Sequence, residues 1–397
     1  MTRLVAFIAT LLALAAPPLL AQAPDFSKVP GVVIDHIPTS RNIYVGSPSI
    51  AILPDGTYIA SHDEFGPKSQ YHSRAITRVF RSTDRGATWS QISTIEGCFW
   101  ANLFVHRDAL FLWGTEREYG EMLLRRSTDG GRTWTTPTDA ASGKLLPGTF
   151  HCAPVPVVHH AGRIWRAWEE ATPRKKWGDN FRPFVMSAPE DADLLNANSW
   201  TRSNALDHDK QWLKGTFGGW LEGNAVVTPA GDVVDILRVQ NAPDGETAAI
   251  VRVSKDGKTA TFDPAKDFIH FPGGTKKFTI RFDPQSKRYW SLTNYIPPRH
   301  VSNDPGGTRN TLALTSSADL ANWEVRSIIL YHPDREKHAF QYVDWQFDGA
   351  DLIAACRTAY DDGLGGANNY HNANFLTFHR IPKFRDSPSV ASTRPAL

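Results

Sequence analysis

A strand–turn–strand unit recurs six times along the chain, and that recurrence restricts the fold more than any other feature. "GSPSIAILPDGTYIASHD" (46–63) runs an apolar strand into a Pro-Asp-Gly turn and out through a second strand to charged residues. "WANLFVHRDALFLWGTE" (100–116), "HCAPVPVVHHAGRIWRAWEE" (151–170) and "WLEGNAVVTPAGDVVDILRV" (220–239) repeat the pattern. "KKFTIRFDPQSKRYWSLTN" (276–294) and "FQYVDWQFDGADLIAACRT" (340–358) complete it. The turns fall near residues 55, 107, 161, 230, 285 and 348. Such spacing predicts an all-β chain folded as a six-bladed β-propeller, one blade per hairpin, because no hairpin can bury its apolar faces without neighbours.

Composition agrees. The 29 Gly and 27 Pro are spread along the 397 residues as punctuation, which disfavours a helical bundle. Lys and Arg number 43 against 41 Asp and Glu, so no broad nucleic-acid or membrane footprint is expected. The N-terminus, "MTRLVAFIATLLALAAPPLLAQAPDF", has one Arg, an apolar stretch and then small residues. It reads as a signal peptide over residues 1–23, which makes the protein secreted or periplasmic, and no later stretch is apolar enough to span a bilayer. One propeller domain is expected over 24–385, followed by a floppy tail, 386–397. A monomer is expected. Cys98, Cys152 and Cys356 are too scattered for a disulfide framework; one disulfide with a free thiol, or buried free thiols, are the alternatives. No pair has C-x-x-C spacing, so neither a metal nor another cofactor is expected. "FPGGTKKF" lacks the spacing of a phosphate loop.

A second repeat runs out of phase with the first. "RSTDRGATW" (81–89) and "RRSTDGGRTW" (125–134) share S-x-D-x-G-x-T-W, with weaker echoes at 254–262, 316–323 and 186–200. An Asp and a Gly shape a tight turn, and the Trp packs beneath it, which is a structural task. These stretches resemble Asp boxes. Over roughly residues 40–385 the chain is similar to the sialidase superfamily, whose members are six-bladed propellers.

In a propeller the open hairpin ends meet around one central pocket. Here they carry His62, Asp63, Glu116, His151, Glu169, Glu170, Glu222, Arg238, Lys276, Lys277, Asn294, Gln341, Tyr342, Asp344 and Arg357. Opposed charges in one concavity mark a candidate active site, and about half of them are expected to be structural salt bridges. The resemblance implies roles for some. Glu222 matches the glutamate that activates a tyrosine nucleophile, and Arg238, sixteen residues on, matches an arginine that holds the substrate carboxylate. Tyr342 in "QYVDWQ" matches the nucleophile, and Arg309 matches the arginine before the last box. A neutral phenol with a base suits a sugar whose anomeric carbon bears a carboxylate, since an anionic nucleophile would be repelled. An arginine fork binds that carboxylate bidentately.

Two departures stand out. The family's first arginine, in an R-I-P motif, is replaced by Gly46, and Arg41 lies five residues upstream as an alternative. For the proton donor, Asp63 comes early and His72 lies near the usual position. Arg357, His62, His151 and Lys277 (or Lys276) are further candidates for contacting substrate. His151 and Cys152 are adjacent strand residues and face opposite sides, so they make a poor nucleophile pair. The Gly-rich stretch 360–374, with Tyr370 and His371, reads as a closure loop or pocket rim.

The expected activity is that of an exo-acting glycoside hydrolase of sialidase type that releases a terminal acidic sugar from a glycan. A polysaccharide lyase acting on uronic acids, with His62, His72, His151 or Tyr342 as base, is the alternative on the same fold. A non-catalytic glycan-binding propeller is the third.

Overall fold

The structure is a computed structural model that describes residues 22–172, 176–240, 245–301 and 304–388. Most of the expected leader, and residues 389–397 of the tail, lie outside them.

Six antiparallel sheets of four or five strands surround a common axis. Each sheet begins with the first strand of one of the six hairpins, and later strands step outward. The axis-lining strands are Tyr44–Val45 with Ser49–Ile52, Phe99–His106, Phe150–His151 with Val158–His160, Trp220–Val227, Thr279–Asp283 and Ala339–Asp348. We number the blades 1 to 6 in that order. Alternation explains the choice of residues: apolar side chains at every second position face neighbouring blades. Trp113, Phe150, Trp168 and Phe184 fill the seam between blades 2 and 3, while Trp290 and Trp345 fill that between blades 5 and 6. All three cysteines are buried and free, and burial pushes their thiols up to about 11 or 12.

The ring closes with the start of the chain. Val32–His36 forms the outer strand of blade 6 by pairing antiparallel with Phe375–Ile381. Near the axis, side chains tie each blade to the next. Asp344 accepts hydrogen bonds from Ser49 Oγ (2.8 Å) and Ile50 N (3.0 Å), and Ser49 Oγ accepts one from Leu103 N (2.9 Å). Asn224 Oδ1 accepts from Ile280 N at 3.0 Å, and Trp345 Nε1 donates to Thr279 O at 2.9 Å.

Hairpin turns gather on one face, here the lower, together with the S-x-D-x-G-x-T-W turns. In blade 1, Asp84 accepts from Ser82 Oγ (2.8 Å), Thr88 N (2.9 Å) and Thr88 Oγ1 (2.5 Å), while Trp89 Nε1 donates to Gly86 O (3.2 Å). Asp129 repeats this set in blade 2, as Asp256 and Asp319 do in part further on. These bonds hold Asp84 and Asp129 down at about 2. Arg85 reaches across to Asp348 in the hairpin of blade 6 at 2.8 Å, and Arg385 grips Asp283 in that of blade 5 at 2.7 Å.

Candidate active site

Three axis-lining strands carry the same irregularity near their upper ends. Pairing slips between Phe99 and Asn102 in blade 2, Leu221 and Asn224 in blade 4, and Gln341 and Asp344 in blade 6. Within each slip one bulky residue has a left-handed backbone: Trp100 (φ 50°), Glu222 (φ 59°) and Tyr342 (φ 55°). An extra residue in one strand bends it and re-aims a side chain. Non-glycine residues in this region cost about 1–3 kcal/mol each, a strain that clusters at functional sites. All three side chains line one upper cavity of about 420 Å³.

Glu222 and Arg238 pair at 2.9 Å, both almost wholly buried. The Tyr342 hydroxyl is within hydrogen-bonding reach of both. Burial alone would raise the Glu222 carboxyl; Arg238, His151 and the hydrogen bonds outweigh it and hold the group below the ordinary value, so it is ionised at neutral pH. The Arg309 guanidinium lies 5.5 Å from the Tyr342 ring centroid and the Arg357 guanidinium 5.0 Å. Arg309 also donates to Gln341 Oε1 at 2.6 Å. Buried Arg238 Nε and Arg357 Nε have no hydrogen-bond partner among the described residues. Burial brings Arg357 down to about 10. His371, on the wall formed by the 360–374 stretch, is pushed well below the ordinary histidine value by burial and then by Arg357, Arg309 and Arg238. Three cations thus act on one point of the pocket.

The opposite wall is acidic and aromatic. His151 Nδ1 meets Glu169 Oε2 at 2.8 Å, and its ring stacks on Phe181 (4.3 Å) with Trp100 and Trp177 edge-on. Glu118 faces the cavity, pairs with His72 at 2.6 Å, and is raised by burial. Trp177 is the most open of these rings at 41% exposed.

Asp63 lies at the cavity floor, but its oxygens accept backbone N–H groups, Ser47 N on one and Trp100 N (2.6 Å) on the other. Burial still raises it above the ordinary carboxyl value. Gly46 explains the missing arginine: a Cβ there would fall on Asp63 Oδ1. No side chain fits at position 46 while Asp63 stays in place.

Several expected contacts are not brought to the pocket. Arg41 is exposed on the short 3-10 turn Thr39–Arg41 and does not replace the missing arginine. His72 is 67% exposed on its side chain and supports Glu118 from outside. His62 is buried behind the strand, bonded to Asp35 at 2.8 Å, because alternation lets only one of His62 and Asp63 face inward. Lys277 plugs the channel, donating to Thr279 Oγ1 (2.6 Å) and Val343 O (2.7 Å), and Lys276 donates to Pro305 O at 3.0 Å. Burial lowers these amines to about 8 and 7. Cys152 reaches the cavity beside His151, but its thiol, raised to about 12, is inert. Sequence reasoning missed Glu118, Trp100, Tyr71 and Trp177. The polar, aromatic run "EREYGE" (116–121) was the available signal for Glu118.

A second cavity, of about 570 Å³, opens on the lower face and is larger. Its lining is mainly apolar and holds no carboxylate.

No family model and no curated protein matches the sequence. Solved structures do match. A Dyadobacter fermentans protein of unknown function has 16% identity and a TM-score of 0.59, with 90% of this chain and 98% of that one covered. A Penicillium chrysogenum alpha-L-arabinanase complexed with arabinobiose has 15% identity and a TM-score of 0.57, with coverage of 90% and 98%. A Trypanosoma rangeli sialidase in complex with sialic acid has 15% identity and a TM-score of 0.53, covering 84% of this chain and 54% of that one. These likenesses, with the six sheets around one axis, make the chain a six-bladed β-propeller of the fold that sialidases and arabinanases share.

Proposed function

We propose that the upper cavity is the active site of an exo-acting glycoside hydrolase that removes a terminal acidic sugar, sialic acid or a relative, from a glycan. One observation carries this reading: Arg238, Arg309 and Arg357 converge around a tyrosine whose hydroxyl lies within reach of an ionised glutamate. The arginines hold the sugar carboxylate, and the unpartnered Nε–H of Arg357 is one donor for it. Arg357 does the work of the arginine that Gly46 excludes. Tyr342 attacks the anomeric carbon while Glu222 takes the phenol proton. The leaving oxygen needs a proton, and Glu118 is better suited than Asp63, since it is raised, faces the cavity and, among the described residues, has only His72 as an ion-pair partner. Water then releases the sugar with the roles reversed. Trp100 and Trp177 offer ring faces to the glycan. A leader over residues 1–23 would deliver such an enzyme, as a monomer, to secreted or periplasmic glycans.

The lyase reading keeps one supporting observation. His371 is held neutral beside the arginines, where a base would remove the proton next to a uronic-acid carboxylate. Purified protein should be incubated with sialylated and with uronic-acid-rich glycans. Free sialic acid supports the hydrolase, and an unsaturated uronate absorbing at the ultraviolet edge replaces it with the lyase. Binding of either glycan without any product leaves a glycan-binding propeller and removes both.

A further inference from the structure

The three strained residues of the pocket are held in a common way. They lie in blades 2, 4 and 6, and in each case a buried charged side chain from the preceding blade grips the backbone of the slip. Blade 1 supplies Asp63, whose Oδ2 accepts from Trp100 N at 2.6 Å. Blade 3 supplies Glu169, whose Oε1 accepts from Gly223 N at 3.0 Å. Blade 5 supplies Lys277, whose Nζ donates to Val343 O at 2.7 Å. All three side chains belong to residues at most 3% exposed. Each gripped residue is one of the pair that the slip leaves out of the strand pairing: 100–101, 222–223 and 342–343. A carboxylate meets an N–H and an ammonium meets a carbonyl, so the sign of each charge fits the group it holds.

We propose that Asp63, Glu169 and Lys277 are positioning residues, whose hydrogen bonds to the three bulges aim Trp100, Glu222 and Tyr342 into the pocket. The inference rests on the hydrolase reading and adds to it the source of the alignment. A bulge frees backbone groups from the ladder, and a buried group without a partner is costly. A left-handed non-glycine residue persists only where its surroundings over-determine it. Hydrogen bonds from ionised groups are roughly twice as strong as neutral ones, which suits them to that task. Glu169 holds two parts of the pocket at once. Its other oxygen, Oε2, meets His151 Nδ1 at 2.8 Å, so one carboxylate fixes both the Glu222 backbone and the imidazole on the facing wall. Lys277 shares Val343 O with Thr279 Oγ1 (2.9 Å), so its loss should be the milder one.

The test compares Glu169→Ala with Glu169→Gln, which keeps an oxygen for Gly223 N. The crystal structure of the alanine variant should show Glu222 out of the left-handed region and its carboxylate away from the Tyr342 hydroxyl. This arm needs no turnover, so it decides the matter even if native enzyme leaves sialyllactose intact and the hydrolase reading fails. With sialyllactose as substrate, Glu169→Ala should cut kcat by about 10²-fold, the loss a misplacement of about 1 Å can cause, and change KM little. Glu169→Gln should recover most of that loss. A purely structural role would lower Tm and leave kcat of the folded alanine variant native. That result overturns the proposal, as does an unmoved Glu222. A glutamine variant as slow as the alanine one also overturns it, since the charge and not the hydrogen bond would then matter. If Glu169→Ala fails to fold, Lys277→Met takes its place: a lowered kcat with native KM is expected, and native kcat overturns the proposal.

Discussion

The two ends of the propeller axis are built from the same six hairpins and differ in almost everything else. On the lower face, Asp84 and Asp129 have their oxygens filled by neighbouring hydroxyls and N–H groups, and Arg385 has all three guanidinium nitrogens engaged. On the upper face, three bulky residues sit in a strained backbone, and two buried arginines keep an N–H without a partner. The lower face uses its polar groups to define turns. The upper face leaves polar groups unsatisfied, which stabilises nothing until a ligand arrives. Mutations should therefore separate: those above change turnover, those below change stability.

The strongest test is Tyr342→Phe, which removes one oxygen. It should keep Tm near native and cut kcat by several orders of magnitude on whichever acidic glycan proves to be the substrate. Glu222→Gln should lower kcat by about 10²–10⁴-fold, the usual range for general acid–base groups. Near-native turnover in the phenylalanine variant would make the upper face merely structural and end the comparison.

Glu118→Gln comes next. The proposed mechanism requires Glu222 ionised and Glu118 protonated. Glu222 is held below the ordinary value of 4.5, so the acid limb of the pH profile should fall below it, and Glu118 is raised above that value, so the basic limb should lie higher. The glutamine variant should lose the basic limb. An unchanged profile would return the donor role to Asp63.

Arg357→Lys or Arg309→Lys keeps the charge and loses the fork. Either should weaken an acidic substrate by about 1.5–3 kcal/mol, the range for hydrogen bonds to charged groups, read as a raised KM or weaker inhibitor binding. Neutral sugars should be unaffected.

The smallest effect is expected below. Asp84→Ala should lower Tm by a few degrees and leave kcat of the folded enzyme unchanged. Asp84 and Asp129 have folded values near 2, below their unfolded ones, so their contribution is present above about pH 4 and fades as pH falls towards 2. The alanine variant should show a shallower loss of Tm over that window. A turnover defect without loss of stability would show that the two faces are coupled.

The blade count was legible because hairpin spacing and apolar alternation are local properties. So was the placement of Glu222, Arg238 and Tyr342 at open hairpin ends, since their neighbours fix where a hairpin opens. The bulges were not legible, because a register slip belongs to two strands together and no single stretch declares it. That is why Lys277 read as a pocket cation when its amine is turned into the channel towards Val343 O. Glu118 was missed because it lies two residues beyond the hairpin end, in a loop whose path the sequence does not fix. Glu116, which was singled out, instead pairs with its neighbour Arg117 at 2.5 Å. The role of Gly46 needed coordinates as well, since its reason is the volume of a carboxylate seventeen residues away.

Blade 6 is completed by the strand Val32–His36. This makes the earliest-made strand of the sheet the last to find its place. Val32 pairs with Phe378, so nearly the whole chain must leave the ribosome before that contact exists. Until then blade 6 presents a bare edge, the kind that templates association with other chains. Loop-closure entropy rises only slowly with length, so the delay matters more for rate than for final stability. Blades 1 to 5 can pack in order of synthesis, but the ring as a unit should form in one late step. Deleting residues 32–36 should leave collapsed, aggregation-prone chains with much of their strand content and little of their cooperative unfolding.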